Sequence, residues 1–490
     1  MLKIGDKITQ NVPAKVMGSY DVVVCGGGTA GVTAALAAAR NGASVVLLEA
    51  SPFLGGMLTE GNAGLTKYVL HGKDENVQTE ITNKLRKNPK DVQLIGGIPL
   101  EFVHKLMERN AAAGTAETAG CYVYPDKNEF KILLFEMLWE AGVKIVLHSQ
   151  VCDVIKENNR VTGVITQTKT GRRAYLGKQF IDATGDGDLA AFAGVPFVLG
   201  VGPEDSVYIN GQRELGTMQI IGDMFRIGGV DFDKYISFLK ENPDYFMVQR
   251  FGLNTLEETV KAYELGEAII LRGCVPKRAN PKGRSFQVYN YPRKGIMIGL
   301  GGLWDNDQAS RNGLEVNELT ECEHGMFIFN EELVKHLREN VPGFENCYIL
   351  DMPRTGVRET RHIVGEYKLD ILDILLQKEF EDTIGKSCHP IDIEPIPKEL
   401  EETGVPDEWY FNIPYRCMVA KDIENVLVAG RPISATREAS GCLRPTAACM
   451  VMGEAAGTAA AILCKDGAVK AKDVDIQKLR TTLKENGVVL

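Results

Sequence analysis

The sequence predicts an α/β protein whose parallel sheet is assembled from segments that lie far apart in the chain. Residues 20–25 form a β-branched run that leads into a glycine-rich loop and then an alanine-rich segment. Further short apolar runs follow at residues 43–48 and 426–429. Short, mostly apolar runs of this length, bounded by glycine, are typical of strands that are buried on both faces of a parallel sheet.

Composition and charge exclude several classes of protein. The chain has 490 residues and a net charge of -10, which counts against a dedicated nucleic-acid binder or a polybasic membrane surface. Its 11 cysteines include no CxxC pair, which favours free thiols in a reducing compartment and predicts no metal or iron–sulfur site. The first residues include no apolar signal segment, so we expect a cytoplasmic protein with no membrane and no nucleic-acid partner.

The loop after the first strand matches the dinucleotide fingerprint G-x-G-x-x-G, from Gly26 to Gly31, within a strand–loop–helix–strand unit. In this fingerprint the first glycine permits a tight turn, the second lets a pyrophosphate approach the backbone, and the third lets the helix pack on the strand. The helix N-terminus offers unpaired N–H groups to an anion. Glu49 ends the second strand and is placed to accept hydrogen bonds from a ribose diol. The alternative is a glycine-rich turn that only packs a helix on a sheet.

Three later segments indicate a flavin rather than a nicotinamide nucleotide. A glycine pair at Gly55 and Gly56 follows the acidic residue almost at once. Residues 144–188 alternate β-prone runs with turns, which predicts an antiparallel meander that ends in Ala183-Thr184-Gly185. The last segment has a strand, then Gly430-Arg431, then a helix that opens near Pro445. The N–H groups of residues 442–446 are predicted to face the flavin N1–C2=O edge, where they stabilise an anionic reduced ring.

These segments predict a discontinuous domain organisation. Residues 18–62, 115–195 and 405–465 are assigned to the cofactor domain. Residues 63–114 and 196–404 are assigned to an inserted α+β substrate or cap domain, which has no phosphate loop. Helices are predicted in it over residues 100–113, 233–241, 256–265 and 317–340. Residues 466–490 are assigned to a C-terminal extension.

With these motifs in place, the chain resembles the bacterial family of FAD-dependent oxidoreductases that have a Rossmann-like FAD domain of the glutathione-reductase type. The resemblance runs over nearly the whole length and is most specific in RETRHIVGEYKL and in the IPYR to AGR segment. It implies an enzyme with non-covalently held FAD. The implied cofactor contacts are Gly26, Gly28, Thr29, Ala30, Gly31, Glu49, Ala50, Gly55, Gly56, Met57, Val151 through its backbone, Ala183, Thr184, Gly185, Asp186, Gly430, Arg431, Cys442, Leu443, Arg444 and Thr446.

Arg431 departs from a common pattern among flavoproteins of this type. Many of them carry an aspartate after the glycine of the last motif, where it contacts the ribityl chain. Here an arginine stands in that place. We expect it to pair with a cofactor phosphate or with the substrate.

Four arginines provide candidates for substrate binding. Arg354, Arg358 and Arg361 are spaced four and three residues apart, so a helix would carry all three on one face. Our hypothesis is that Arg358, Arg361 and Arg416 include a clamp for a carboxylate or a similar anion. The alternative is salt bridging to Glu359, Glu366 or Glu438.

His362 lies within this arginine-rich stretch and is the first candidate for a proton-transfer residue. A structural histidine with its hydrogen bonds satisfied is the favoured alternative, and His71 and His324 are weaker candidates. Cys442 is expected near the flavin as a small buried thiol, and no redox disulfide with Cys417 or Cys449 is indicated.

The predicted function is an FAD-dependent oxidoreductase that transfers a hydride between the flavin and a small polar substrate, anionic if the arginine clamp exists. Oxidation of a hydroxyl or amino carbon and reduction of an alkene both stay open. Two other classes also stay open: a flavoprotein subunit that passes electrons to an iron–sulfur partner, and a flavoprotein that modifies tRNA. The sequence leaves the oligomeric state undetermined.

Overall fold

A computed structural model describes residues 8–66, 68, 70–72, 75–113, 122–203, 215–245, 255–264, 270–274, 285–303, 311–393 and 408–490 of the chain. The strands are β1 Ala14–Cys25, β2 Val45–Leu48, β3 Leu65–Thr66, β4 His71–Gly72, β5 Ala112–Ala113, β6 Tyr122–Pro125, β7 Lys144–Val146, β8 Gln150–Glu157, β9 Arg160–Thr168, β10 Gly171–Asp182, β11 Phe197–Leu199, β12 Gly222–Gly228, β13 Ile270–Cys274, β14 Ser285–Asn290, β15 Met297–Leu303, β16 Tyr348–Asp351, β17 Arg361–Ile363, β18 Thr383–Ser387, β19 Glu408–Trp409, β20 Phe411–Pro414 and β21 Val426–Val428.

The helices alternate with these strands. They are α1 Thr29–Arg40, α2 Glu75–Lys87, α3 Gly97–Glu108, α4 Lys127–Glu140, α5 Asp188–Ala193, α6 Phe232–Glu241, α7 Leu256–Glu264, α8 Val316–Asn340, α9 Ile371–Leu375, α10 Arg437–Leu443, α11 Thr446–Asp466 and α12 Ile476–Glu485.

The main sheet has seven strands in the order β7-β2-β1-β10-β9-β8, with β21 also paired to β10. The strands β7, β2, β1, β10 and β21 run parallel, and β8, β9 and β10 form an antiparallel meander. The long strand β10 joins the two parts, because it pairs with β1 along one edge and with β9 and then β21 along the other. The predicted α/β class, the Rossmann-like unit and the meander are therefore confirmed.

Helices α1 and α11 pack on one face of this sheet at very close range. A Cβ atom added to Gly453 would lie 2.2 Å from the carbonyl oxygen of Ala30, and one added to Gly457 would lie 2.1 Å from that of Ala34. Only glycine allows backbones to approach this closely. Two small residues of α11 are thus in direct contact with the backbone of α1.

Among the helices that the structure describes, α11 is the one that is long and apolar enough to cross a membrane. In its most apolar window 94% of the residues are buried inside the protein. Its apolar composition therefore fits a core helix, packed between α1, α3, β18 and the sheet.

The inserted region contributes a five-stranded antiparallel sheet in the order β13-β14-β15-β12-β16. Helices α6 and α8 accompany this sheet, and the aromatic residues Phe225, Tyr235 and Phe344 belong to its core. The helices predicted over residues 233–241, 256–265 and 317–340 are present within one residue of these bounds. The helix predicted over residues 100–113 is wrong at its end, because α3 stops at Glu108 and Ala112–Ala113 joins a small sheet with β6.

The last residues of the chain pack into the core of the cofactor-binding region. Leu479 and Leu483 of α12 are fully buried in the same cluster as the apolar residues of α11. The N–H of Gly97, at the start of α3, donates to the carbonyl of Gly487. The domain boundaries given above stay predictions.

Glu454 is a buried carboxylic acid at the contact between α11 and the start of α3. Its Oε2 accepts the N–H of Ile98 at 3.0 Å, while Oε1 is buried without a hydrogen-bond partner. Burial raises the pKa of Glu454 to about 8, since the Ile98 bond and the charge of Arg40 offset only part of the lost hydration. The group is therefore protonated in the folded protein at neutral pH.

Replacing Glu454 by glutamine should change how stability depends on pH. The folded protein holds a proton on Glu454 that the unfolded chain releases above its ordinary pKa, so wild-type stability falls as pH rises from about 4.5 to about 8. Glu454→Gln should remove this decline and melt a few degrees higher than wild type at pH 9, with little difference at pH 5. Melting curves across this range test it, with exposed Glu485→Gln as the matched control. Parallel pH profiles for wild type and for Glu454→Gln would contradict the assignment.

Candidate functional site

The glycine loop between β1 and α1 is shaped by two close backbone contacts. Gly26 has a φ of +96°, and a Cβ there would lie 2.2 Å from the carbonyl oxygen of Ala183. A Cβ on Gly31 would lie 1.8 Å from the carbonyl oxygen of Gly26. Glycine is therefore required at both positions by the protein's own backbone.

Gly28 is different, since nothing in the described structure requires a glycine there. Its φ is -72°, and a Cβ would meet no atom within 4 Å. Gly28 caps α1 without a side-chain hydrogen bond, and the first turn, which includes Thr29 and Ala30, contains no acidic residue. Open space beside uncapped N–H groups fits a phosphate of a bound dinucleotide.

Glu49 lies beside this loop, at the end of β2. Its Oε2 accepts the N–H of Gly27 at 2.5 Å, and Oε1 accepts the N–H of Ser51 at 2.7 Å. A carboxylate oxygen can accept more than one hydrogen bond, so both oxygens can still receive a ribose hydroxyl. Ala50 follows in the same turn. The backbone around Val151 is close as well, because Ser149 donates its N–H to the carbonyl of Glu49.

The second glycine pair packs directly on the first loop. The N–H of Gly55 donates to the carbonyl of Gly27 at 2.8 Å. A Cβ on Gly56, whose φ is +51°, would lie 3.0 Å from Cα of Gly28. Met57 follows, and its terminal carbon lies 3.2 Å from a Cβ placed on Gly356 of the inserted region. This loop therefore connects the predicted phosphate site to the cap.

The turn from Ala183 to Gly185 is held by Asp182, a residue that the sequence did not single out. The buried Asp182 carboxylate accepts the N–H and the hydroxyl of Thr184, at 3.1 and 2.8 Å, and the N–H of Ala190 at 2.8 Å. Burial raises the pKa of Asp182 to about 6. In the sequence, this supporting role is indicated by the position of Asp182 at the end of a strand, immediately before the Ala-Thr-Gly turn.

Arg431 is paired within the protein. Its guanidinium bonds Oδ1 of Asp186 at 2.5 Å and the hydroxyl of Thr360 at 2.9 Å, and that hydroxyl donates to the same carboxylate. Burial disfavours the charge on Asp186, yet Arg431 and Thr360 outweigh it and hold the pKa of this carboxyl below its usual value. Arg431 thus braces the turn at Gly185, next to Gly430, whereas the sequence predicted a phosphate or a substrate as its partner.

The last long helix begins at Thr446 with Pro445 as its N-cap, so the predicted start near Pro445 is confirmed, but residues 442 and 443, predicted to lie at this N-terminus, do not. Cys442 and Leu443 are the last residues of α10, and both are fully buried. Only Arg444, Pro445 and Thr446 lie at the start of α11, which has no side-chain cap and no acidic residue in its first turn. The reason is a second short helix, which the sequence pattern hid within a continuous run of small and apolar residues.

The arginine-rich stretch is not helical, so the predicted shared face of Arg354, Arg358 and Arg361 is wrong. Residues 352–360 are mostly irregular, and β17 begins at Arg361, where it pairs with β11. Extended backbone turns successive side chains in different directions. Arg354 is largely exposed, with Glu60 as its nearest carboxylate at 3.8 Å.

Two of the three predicted clamp residues have carboxylate partners of their own. Arg361 bonds Asp188 at 2.7 Å and the carbonyl of Asp186 at 2.8 Å. Arg416 bonds Asp382 at 2.9 Å. In the described part of the chain these contacts do not bring Arg361 and Arg416 together. Arg358 has neither an ion pair nor a hydrogen bond among the described residues.

His362 is part of a buried charge network. Its Nε2 bonds Oε1 of Glu359 at 2.8 Å, and Oε2 of Glu359 accepts the Nε–H of Arg437 at 3.2 Å and the N–H of Gln219 at 2.8 Å. Burial opposes the charge on Glu359, but His362 and Arg437 hold its pKa below the usual value. The network joins β17, α10 and the segment before β12. Of the weaker candidates, His324 is exposed on α8, and the side chain of His71 lies outside the described set.

Arg444 and Asp392 form a cluster that the sequence did not reveal as a unit. Arg444 donates to the carboxylate of Asp392 and to its carbonyl oxygen, while the buried Arg444 Nε has no hydrogen-bond partner in the part of the chain that the structure describes. Burial, with the nearby charges of Arg358 and Arg431, lowers the pKa of Arg444. The sequence gives little indication of this pairing, because Asp392 lies in a proline- and acid-rich stretch of the kind that connects two domains.

The described residues contain no group of three histidine, cysteine, aspartate or glutamate side chains that could hold a metal ion. The nine cysteines whose side chains the structure describes are free thiols.

The model of the FAD dependent oxidoreductase family matches residues 21–483. The chain belongs to this family. It is therefore an enzyme, an oxidoreductase, and FAD is its cofactor. The open cradle at Gly28, the carboxylate of Glu49 and the uncapped start of α11 fit that cofactor on this chain's own geometry.

Curated relatives match parts of the chain. A tRNA uridine 5-carboxymethylaminomethyl modification enzyme of Alkaliphilus oremlandii is 35% identical over 174 residues, 34% of this chain and 24% of that protein. A probable fumarate reductase of Shewanella frigidimarina is 32% identical over 97 residues, 18% of this chain and 16% of that protein. A digeranylgeranylglycerophospholipid reductase of Thermoplasma acidophilum is 28% identical over 37% of this chain and 44% of its own length. The chain thus spans less than half of each of these relatives.

Among solved structures, a geranylgeranyl bacteriochlorophyll reductase-like protein from Thermoplasma acidophilum is 16% identical, with a TM-score of 0.44. The comparison covers 96% of this chain and 84% of that chain.

Gly28→Val should remove FAD without unfolding the protein. The valine fits the backbone, whose φ is -72°, and the added methyl groups occupy the open space where a phosphate would approach. We expect FAD content to fall by at least about tenfold, the equivalent of about 1.4 kcal/mol, with the melting temperature of the FAD-free protein unchanged. Flavin absorbance per protein and melting curves measure both.

Gly31→Ala serves as the contrasting variant, because its Cβ collides with backbone and should lower both stability and FAD content. Full flavin content in the Gly28→Val protein would show that no phosphate lies against this glycine.

Proposed function

We propose that this FAD-dependent oxidoreductase transfers a hydride between the flavin and a small metabolite that carries a carboxylate or a similar anion. The observation that carries the proposal is Arg444, a buried cation at the junction between α10 and α11 whose Nε has no hydrogen-bond partner among the described residues. This junction leads into the helix whose N-terminus is predicted to face the flavin. Segment 388–393 and Arg358 lie beside it.

The balance of charge favours an anionic ligand. Arg431 and Arg361 are paired with Asp186 and Asp188, so their charges are already offset. Among the described residues, Asp392 pairs with Arg444 and also lies near the charge of Arg358, so two positive charges lie beside one carboxylate. Buried or half-buried charge is costly unless it is paired, and a substrate carboxylate would supply the missing partner with charge-assisted hydrogen bonds.

Bound FAD supplies the two-electron acceptor or donor, and the protein supplies binding and orientation. Arg358 and Arg444 hold the anionic end of the substrate, which sets the reacting carbon relative to the ring. The pair Arg431–Asp186, which also bonds Thr360, and the network of Glu359 fix residues 359–362, directly after Arg358. Oxidation of a hydroxyl or amino carbon and reduction of an alkene are both compatible with this arrangement.

We do not propose RNA binding from the similarity to a tRNA-modifying enzyme. That match covers 34% of this chain, and a net charge of -10 opposes attraction to phosphate-rich RNA. A cytoplasmic location and the division into cofactor and cap domains are also proposals. The oligomeric state is left open.

Arg358→Ala should weaken substrate binding while leaving FAD in place. An oxidisable substrate is identified by adding hydroxy acids, amino acids and sugars under anaerobic conditions and measuring bleaching of the flavin. The reverse direction is tested by adding unsaturated acids to the photoreduced enzyme and measuring reoxidation of the flavin. Loss of one charge-assisted contact should raise KM by about 10- to 100-fold.

Arg416→Ala is the matched control, because Arg416 is half-exposed and paired with Asp382. Equal KM changes in both variants, or reaction with uncharged sugars alone, would overturn the anionic assignment.

A further inference from the structure

Asp223 of β12 is a buried carboxylate with no positively charged partner among the described residues. It is 5% exposed and faces α8, because Nδ2 of Asn330 donates to its Oδ2 at 2.6 Å. Phe225, two residues further along β12, and Val334, one turn further along α8, belong to the apolar core between these elements. A buried charge is costly unless it is paired or binds a cation. The surroundings of Asp223 therefore lack a positive charge.

Three buried oxygen atoms in this region have no hydrogen-bond partner in the described part of the chain. They are Oδ1 of Asp223, Oδ1 of Asn330 and Oγ1 of Thr355. Gly222 and Gly356 form an antiparallel bridge, with N–O distances of 3.3 and 2.7 Å. Residues next to such a bridge lie opposite each other with their side chains on one face, which places Thr355 opposite Asp223. Carboxylate and amide oxygens only accept hydrogen bonds, so those of Asp223 and Asn330 cannot satisfy each other.

A second carboxylate lies beside these oxygens. Oε1 of Glu323 accepts the N–H of Thr355 at 3.1 Å, and Glu323 lies two turns before Asn330 on the same face of α8. Burial raises the pKa of Asp223 to about 6 against the hydrogen bond from Asn330, and the charge of Glu323 adds to the increase. Neither carboxylate forms an ion pair with another described residue. We call the four side chains of Asp223, Glu323, Asn330 and Thr355 the α8 oxygen cluster.

We propose that the α8 oxygen cluster binds one hard divalent cation, and that calcium fits it best. The cluster offers two carboxylates, an amide carbonyl and a hydroxyl, and neither a nitrogen nor a thiolate ligand. Calcium takes about six to eight oxygen ligands of these kinds in flexible geometry, whereas magnesium requires a near-ideal octahedron and keeps several waters. Water molecules and the second oxygen of a carboxylate complete the coordination. One Ca²⁺ offsets both negative charges.

Local sequence patterns give no indication of this site. The cysteine spacing predicted no metal site, but that spacing reports on thiolate ligands alone. Asp223, Glu323 and Thr355 come from three separate segments, and the described residues contain no group of three acidic, histidine or cysteine side chains that would mark a metal centre. The remaining oxygens of the cluster come from an amide and a hydroxyl.

The cation fixes the segment that connects the cap to the arginine-rich stretch. The N–H of Arg354 donates to the carbonyl of Glu60 at 3.0 Å. A Cβ on Gly356 would lie 3.2 Å from the terminal carbon of Met57. Thr355 lies between these two contacts, and the cation holds it to β12 and to α8. This role is structural, so the inference goes beyond the proposed function and does not depend on it.

Calcium titration of the FAD-loaded enzyme tests the proposal. Protein treated with EDTA and exchanged into chelator-free buffer is titrated with CaCl₂ by calorimetry, and its melting temperature is measured in CaCl₂, MgCl₂ and KCl at equal ionic strength. We expect one equivalent of calcium to bind and the melting temperature to rise by several degrees, because a ligand that binds only the folded state stabilises it. MgCl₂ should have a smaller effect, and KCl none.

Asp223→Asn and Glu323→Gln each remove one carboxylate with little change of shape. Each should weaken calcium binding by at least about tenfold, since affinity depends on the number of charged ligands. Glu323 is half-buried, so its variant should fold even if a change at Asp223 is not tolerated. Glu321→Gln is the matched control, because Glu321 is exposed on α8 outside the cluster, and it should bind calcium as wild type does.

Absence of a calcium effect in wild type would overturn the proposal and favour a water molecule, or a proton on Asp223, as the group that satisfies these oxygens. Equal calcium binding by wild type, Asp223→Asn and Glu323→Gln would overturn it as well, since the ion would then lie elsewhere on this acidic chain. A larger rise of the melting temperature in MgCl₂ or KCl than in CaCl₂ would contradict the assignment to calcium.

Discussion

The close contact between α1 and α11 is the constraint on which the site depends. Gly453 and Gly457 let α11 lie directly on the backbone of α1, with distances that no larger residue permits. This packing sets the N-terminus of α1 at the predicted phosphate position and the N-terminus of α11 at the predicted flavin edge. Strand β10 then brings the Ala183–Gly185 turn between them, since it pairs with β1 and with β21. A site assembled from residues 26, 185 and 444 is thus fixed by one helix pair and one strand.

Charge pairing determines which polar groups around this site are left for chemistry. Asp186, Asp188 and Glu359 each engage one arginine, and these pairs fix the segment from Thr360 to His362 against the turn at Gly185 and against α10. Among the described residues, Arg444 pairs with Asp392, and Arg358 has no ion pair of its own. The structure therefore separates arginines that support the fold from arginines that are available to a ligand, a distinction that spacing in the sequence could not make.

Local patterns predicted the cofactor-binding part of the fold well, because each motif has its own physical cause. The turn at Gly26, the packing at Gly31 and the acidic end of β2 are all properties of short segments. The arginine-rich stretch was misread for the opposite reason: helical spacing at residues 354–361 coincided with chain that pairs with β11. Asp392 was missed because its role depends on Arg444, which lies 52 residues away in sequence, and no local pattern reports that proximity.

A crystal structure of the FAD-bound protein tests the central claim most directly. The account predicts that the pyrophosphate lies against the backbone of Gly28 and Thr29, that the ribose hydroxyls contact Glu49, and that the pyrimidine edge of the flavin faces the start of α11. Arg358 and Arg444 should then line the space in front of the ring. A flavin that lies away from α11, or one separated from these two side chains by other parts of the protein, would contradict both the assigned site and the chemistry proposed for it.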